Sequence, residues 1–228
     1  MQKIQQIYDH YLGNKRKKFQ FVLYLFGIII SSLGLALLFK SGVGVAPGDT
    51  VAFGLSERFN IKVGYFLIAG FIALVLINAK IEGKRPRFES ILPILLRGLS
   101  LNVWLYTILG EEKLELIWAQ WSVFSLGVFL LGLGIAVYLR SPFPHIPVDH
   151  FMVVVNQRTN QSKRFVRILF EGGLALLGFL LGGWEVVGVG TLITALFLGP
   201  IIQFFFEKSD FIERLGHTNK TRSDSVLE

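Results

Sequence analysis

Residues 27–60 read GIIISSLGLALLFKSGVGVAPGDTVAFGLSERFN, and residues 127–160 read GVFLLGLGIAVYLRSPFPHIPVDHFMVVVNQRTN. Laid on each other without a gap, they agree at Gly27/Gly127, Leu33-Gly34/Leu133-Gly134, Ala36/Ala136, Ser41/Ser141, Pro47/Pro147, Asp49/Asp149, Arg58/Arg158 and Asn60/Asn160. These are nine identities in 34 positions. Shared hydrophobicity sets Leu against Leu, but it does not bring Pro, Asp, Arg and Asn into register. The chain is therefore a duplication with a spacing of 100 residues, and weaker matches (Gly83/Gly183, Leu92/Leu192, Leu96/Leu196) carry it to the end of each copy.

Working outward, each copy opens on an apolar run of about twenty residues, the length that crosses a ~30 Å hydrocarbon core. Six such runs stand at about 19–39, 63–79, 90–109, 118–139, 165–183 and 187–206. Across all 228 residues, 52% are hydrophobic and only 17% charged, with mean hydropathy +0.56. A soluble domain carries nearer ~25% charge. Uninterrupted runs without strict alternation select helices over a barrel, because lipid leaves a bare backbone unsatisfied. The fold class expected is all-α integral membrane, with lipid as the partner for most of the surface.

The charge of +7 belongs to this picture rather than to nucleic-acid binding, since the 23 Lys and Arg fall between the runs. Residues 1–18, 80–89, 140–164 and those after 206 hold 17 of them; 40–62 and 110–117 hold 4; Arg97 and Arg167 lie inside spans. The positive-inside rule places both termini in the cytoplasm. Lys15 to Lys18 lead straight into the first run, which is too long for a signal-peptide core and is expected to be retained. Met1 to Tyr11, with Ile4, Ile7, Tyr8 and Tyr11 at helical spacing, suits the headgroup region. Residues 1–18 then form a cytoplasmic lead, 19–110 the first transmembrane repeat, 118–207 the second, and 208–228 a polar cytoplasmic tail.

Three spans per copy is an odd number, so the second copy must begin on the opposite side from the first. Six helices as two inverted three-span repeats follow. Between the first two spans of each copy lies a short apolar piece, Val51–Leu55 or Phe151–Val155, entered through Pro47-Gly48-Asp49 or Pro147-Val148-Asp149. These pieces are too short to cross and read as half-helices or re-entrant elements, which membranes tolerate only where protein or a watery cavity shields them. Inverted repeats broken at matching places are the architecture of many secondary transporters. A small-solute transporter is one expectation; a membrane scaffold or accessory protein of an export or biosynthetic assembly is the other.

Charges inside spans normally face the bundle and find partners. Arg97 lies about seven residues into span three and Glu171 about six into span five, so both are expected some 9–11 Å deep on the same side, and a pair between them is allowed. Arg167, at i−4 from Glu171, competes for it. Glu171 shares a helical face with Ala175, Gly178 and Gly182, and that small-residue stripe reads as internal packing, although GxxxG also permits a homodimer. Asp49 and Asp149 stand just before their half-helices, where a carboxylate caps the first amides, and a cap at the mouth of a path can also gate it. Backbone beside Asn102 and Gly190-Thr191 are expected to line the route.

The remaining signals are weaker. His145 and His150 flank Asp149 without a third ligand nearby, so no metal is expected, and Trp104, Trp118, Trp121 and Trp184 lie near span ends as an interfacial belt does. No cysteine exists, and no P-loop, GxSxG or zinc-protease motif occurs. Neither an enzyme nor a cofactor is expected.

Gly44-Val45-Ala46-Pro47-Gly48-Asp49 after a first span, Arg167 with Glu171, Leu181-Gly182-Gly183, and the closing Gly188-Val189-Gly190-Thr191 with Ala195 to Gly199-Pro200 together resemble the YczE/YyaS/YitT group of bacterial integral membrane proteins. The pattern is nearest to the YczE branch and covers almost the whole chain. The resemblance implies a multi-span protein of the bacterial inner membrane with a transport or membrane-assembly role. Two departures fall on the proposed gates: Gly48 stands where the pattern has an aromatic residue, and Pro144-His145-Ile146-Pro147 replaces a glycine-rich lead.

Overall fold

The computed structural model describes the backbone of residues 2–110, 114–159 and 161–224, with side chains of 18–110, 114–148, 150–159, 161–162 and 165–208. The side chains of Met1 to Tyr11 and the carboxylate of Asp149, on which two expectations rest, lie outside the described residues. The elements are α1 (Gln2–Ser41), α2 (Thr50–Phe59), α3 (Val63–Glu82), α4 (Ile91–Val103), α5 (Ile117–Leu139), α6 (Pro147–Thr159), α7 (Lys163–Gly182) and α8 (Val189–Asp224). Short 3₁₀ turns, Pro47–Asp49 and Phe88–Ser90, lead into α2 and α4, and α4 continues as a π-helical turn, Trp104–Leu109. Helices long and apolar enough to span run over Lys18–Ser41, Val63–Glu82, Phe88–Leu109, Ile117–Leu139, Phe165–Glu185 and Val189–Lys208. At 1.5 Å per residue α2 and α6 reach only about 15 and 20 Å, so they stop short of a crossing. α8 does not end with the apolar run but continues into the segment read as a tail.

The centre of the molecule is the contact of α1 with α5. A Cβ at Gly34 would stand 2.3 Å from the Leu131 amide nitrogen, and one at Gly134 would stand 2.4 Å from that of Ser31. Gly27 abuts Tyr138 and Gly134, and Gly127 abuts Gly34 and Leu38. Residue numbers rise along one helix as they fall along the other, so the two run antiparallel at backbone contact. Around them α4 packs on α1, α8 on α5, α2 on α7 and α3 on α6.

The duplicated polar residues do matching local work. Ser41 donates to the Leu38 carbonyl at 2.6 Å and Ser141 to the Tyr138 carbonyl at 2.7 Å, each satisfying a last-turn acceptor. Asn60 ends α2 in the left-handed region at φ 54°, which Asn enters more readily than other non-glycine residues. The amides that open α3 are satisfied by a neighbour: Gly64 donates to Asn102 Oδ1 at 2.8 Å and Val63 to the Tyr106 hydroxyl at 3.1 Å. Gly64 and Gly98 allow that approach, since a Cβ at Gly64 would be 2.0 Å from the Gly98 carbonyl oxygen.

Candidate functional site

The first Pro-x-Asp element is folded back into the bundle. Gly44, at φ 132°, takes the chain past α8 so closely that a Cβ there would meet the Thr191 hydroxyl at 2.7 Å. The returning strand is held by Gly190 donating to the Val43 carbonyl at 2.9 Å and by Val45 donating to that of Val186 at 3.2 Å. Thr191, buried, accepts from the Gly188 amide, and Thr194 below it donates to the Gly190 carbonyl. Gly44, Gly190 and Thr191, read separately in the sequence, therefore form one joint that seals this loop onto α8.

From that joint Pro47 turns the chain into α2. The Thr50 hydroxyl lies 2.8 Å from both the Pro47 and the Leu174 carbonyl oxygens. Gly178 and Gly182 take α2 in: a Cβ at Gly178 would stand 2.4 Å from Thr50 Cβ, and one at Gly182 would stand 2.9 Å from Gly54 Cα. The small-residue stripe of α7 is thus internal packing, as its sequence indicates.

Asp49 does not cap α2, since its side chain makes no bond to the helix amides. Its Oδ2 instead lies 3.3 Å from Nη2 of Arg97, with both residues buried. The pairing of Arg97 with Glu171 that their depths allow does not form. Glu171 takes the competing partner, Arg167, at 2.8 Å within α7, half-exposed on the arginine side. Arg97 also reaches Ser31 Oγ at 3.5 Å, and its backbone carbonyl accepts from Ser32 at 3.2 Å. Its Nε has no partner among the described residues. In the 22-residue span Phe88–Leu109, Arg97 falls near the middle, about 14 Å from Phe88 along the axis. Burial disfavours the charged form of Asp49, and the guanidinium beside it favours that form.

The second element is open. Pro147 and His150 line a cavity of about 630 Å³ with Asn78, Glu82, Ser90 and His145; Arg85, Arg87 and Glu89 stand exposed at its rim. Asn78 donates to the Pro147 carbonyl at 3.0 Å; among the described residues its Oδ1 and Nε2 of His145 have no partner. His150 Nε2 lies 3.1 Å from Glu82 Oε2, and Lys84 holds the other carboxylate oxygen at 2.7 Å. Among the described residues no group of three metal-ligating side chains gathers. Sequence reasoning missed Asn78 and Glu82. The signal was present in the 100-residue shift, which sets them against Gly178 and Gly182. Around Gly199 there is open space, and nothing in the structure explains the Gly199-Pro200 pair.

Six apolar helices of spanning length, packed through glycines around a buried ion pair, define an integral membrane protein. The chain belongs to the family of unknown function DUF6198, which it matches over residues 18–207. It is 28% identical to the uncharacterized protein YyaS of Bacillus subtilis over 186 residues, 82% of this chain and 92% of that one. It is 32% identical to an uncharacterized protein of Haemophilus influenzae over 195 residues, covering 85% and 84%. To the uncharacterized membrane protein YczE of Bacillus subtilis it is 26% identical over 204 residues, covering 89% and 92%. No solved structure matches the chain.

Proposed function

We propose that the protein is a secondary transporter of a small solute in the bacterial cell membrane, working by alternating access between two inverted three-span halves with both termini in the cytoplasm. The observation that carries the reading is the contrast between the two Pro-x-Asp elements. One is sealed against α7 and α8, while the other borders a cavity whose rim carries Arg85 and Arg87. By the distribution of Lys and Arg that cavity faces the cytoplasm. The antiparallel contact of α1 with α5 supports the inversion, because Gly27 meets Gly134 and Gly34 meets Gly127, positions that exchange under the 100-residue shift. Exchange of conformations between the elements would close the cavity and open a path on the other side.

Single cysteines in this cysteine-free chain test it. His150→Cys should react with a membrane-impermeant thiol reagent from the cytoplasmic side only. Thr50→Cys should be protected at rest and react from the opposite side in the population that has switched. Labelling of both from one side would overturn the inverted arrangement, and with it the transporter reading.

A further inference from the structure

Arg97 is under-satisfied for a charge at the centre of a membrane bundle. A guanidinium offers five N–H donors in a fixed fork and pairs best with both oxygens of a carboxylate at about 2.7–2.9 Å. Asp49 gives it one oxygen at 3.3 Å, Ser31 adds a contact at 3.5 Å, and Nε has no partner among the described residues. The charge is also not part of the duplicated framework: position 197, which matches it in the second copy, is an exposed Phe. A lock common to both halves would recur there.

The cavity reaches the start of the helix that carries Arg97. Ser90, buried in the cavity wall, Ile94 and Arg97 follow one another at helical spacing on one face, with Ser90 and Arg97 two turns apart, about 10 Å along the axis. Ile94 is fully buried between them. On this helix face Ile94 is the residue that stands between Ser90 in the cavity wall and Arg97.

We propose that Arg97 is the anchor for a small organic carboxylate, which takes the place of Asp49 on the guanidinium and so frees the Pro47–Asp49 element to move. Asp49 is the resident stand-in for the solute. Its single long contact makes it a weak competitor, and a solute bound through both oxygens satisfies donors that Asp49 leaves idle. The path rests on the transporter reading; the binding does not.

The test uses the full chain in detergent with labelled acetate as the probe, and labelled inorganic phosphate and methylammonium as contrasts. Removing the competitor in Asp49→Ala should tighten acetate binding about tenfold over the unaltered chain, because the competent state is no longer occupied from within. Arg97→Gln should abolish binding in either background, and Arg97→Lys should restore part of it. Asp49→Asn serves with the same expectation if Asp49→Ala does not accumulate. Acetate should also raise the melting temperature of the unaltered chain and leave that of Arg97→Gln unmoved, since a purely structural pair with Asp49 in place offers acetate no site. Equal acetate binding with and without Asp49, retention in Arg97→Gln, or preference for phosphate or methylammonium would overturn the assignment. Acetate binding without flux in proteoliposomes would keep the site and remove the transporter reading. Flux of a neutral or cationic solute without acetate binding would do the reverse.

Discussion

Asn78 and Gly178 occupy matching places in the two halves and have opposite effects. Gly178 lets Thr50 settle onto α7 at backbone distance, whereas Asn78 holds Pro147 by its carbonyl and borders open space. Gly182 and Glu82 repeat the contrast one turn on, Gly182 against Gly54 and Glu82 against His150. The cavity beside α6 is therefore written into two side chains of α3.

Replacing both, Asn78→Gly with Glu82→Gly, should let α6 close on α3 as α2 closes on α7. A reporter cysteine at Val153, which lines the cavity, should then react with a thiol reagent at least about fivefold more slowly, as expected where local opening limits access. The two glycines cost α3 about 1 kcal/mol each in helix propensity, so the comparison needs melting curves showing that both proteins remain folded. An unchanged labelling rate would mean that something other than these side chains keeps the cavity open.

The contact between α1 and α5 predicts a sharp difference between glycines. Gly34→Ala drives a methyl against the Leu131 backbone and should destabilise by about 2–3 kcal/mol, the range for overpacking that cannot relax. Gly173→Ala, with open space around it, should be neutral or stabilising by about 0.5–1 kcal/mol through helix propensity. Melting temperatures of the two purified variants, set against the unaltered chain, check this directly.

Asp49 and Arg97 should behave as a coupled pair in stability. Removing either partner alone leaves an uncompensated buried group and should cost about 3–5 kcal/mol, while Asp49→Asn combined with Arg97→Gln should cost less than the two single losses added together. A double-mutant cycle on thermal unfolding measures the coupling, and strict additivity would mean that the 3.3 Å contact carries no energy.

The spans, the two half-helices and the packing role of Gly178 and Gly182 were legible in the sequence because each is local: run length, helical spacing and small side chains suffice. The partner of Arg97 was not. Depth counted from the span end sets Arg97 level with Glu171, and the place of Asp49 just before α2 suits a cap. Asp49 instead comes to the guanidinium because the Gly42–Ala46 segment turns back, held by Val186 and Gly190 from the far end of the chain. Only Gly44 hinted at it, and a glycine does not say which neighbour it approaches. The same limit hid the cavity: Asn78 and Glu82 look ordinary on α3 until their counterparts, 100 residues on, are seen to be the glycines that shut the other element.

Glu171→Gln separates the two kinds of charge in this protein. Arg167 and Glu171 form an i,i+4 pair within one helix, with the Arg167 side chain 50% exposed two residues from the start of the span, so Arg167 can reach the headgroups when its partner is neutralised. The substitution should therefore shift the melting temperature little and leave acetate binding at Arg97 unchanged, because Glu171 has no contact with that residue. Had Glu171 been the partner of Arg97, the same change would have stranded a buried guanidinium and cost several times as much. A loss of stability near that for Asp49→Asn would place Glu171 in the central network after all, and its measurement beside Asp49→Asn in one melting series decides which carboxylate the buried arginine depends on.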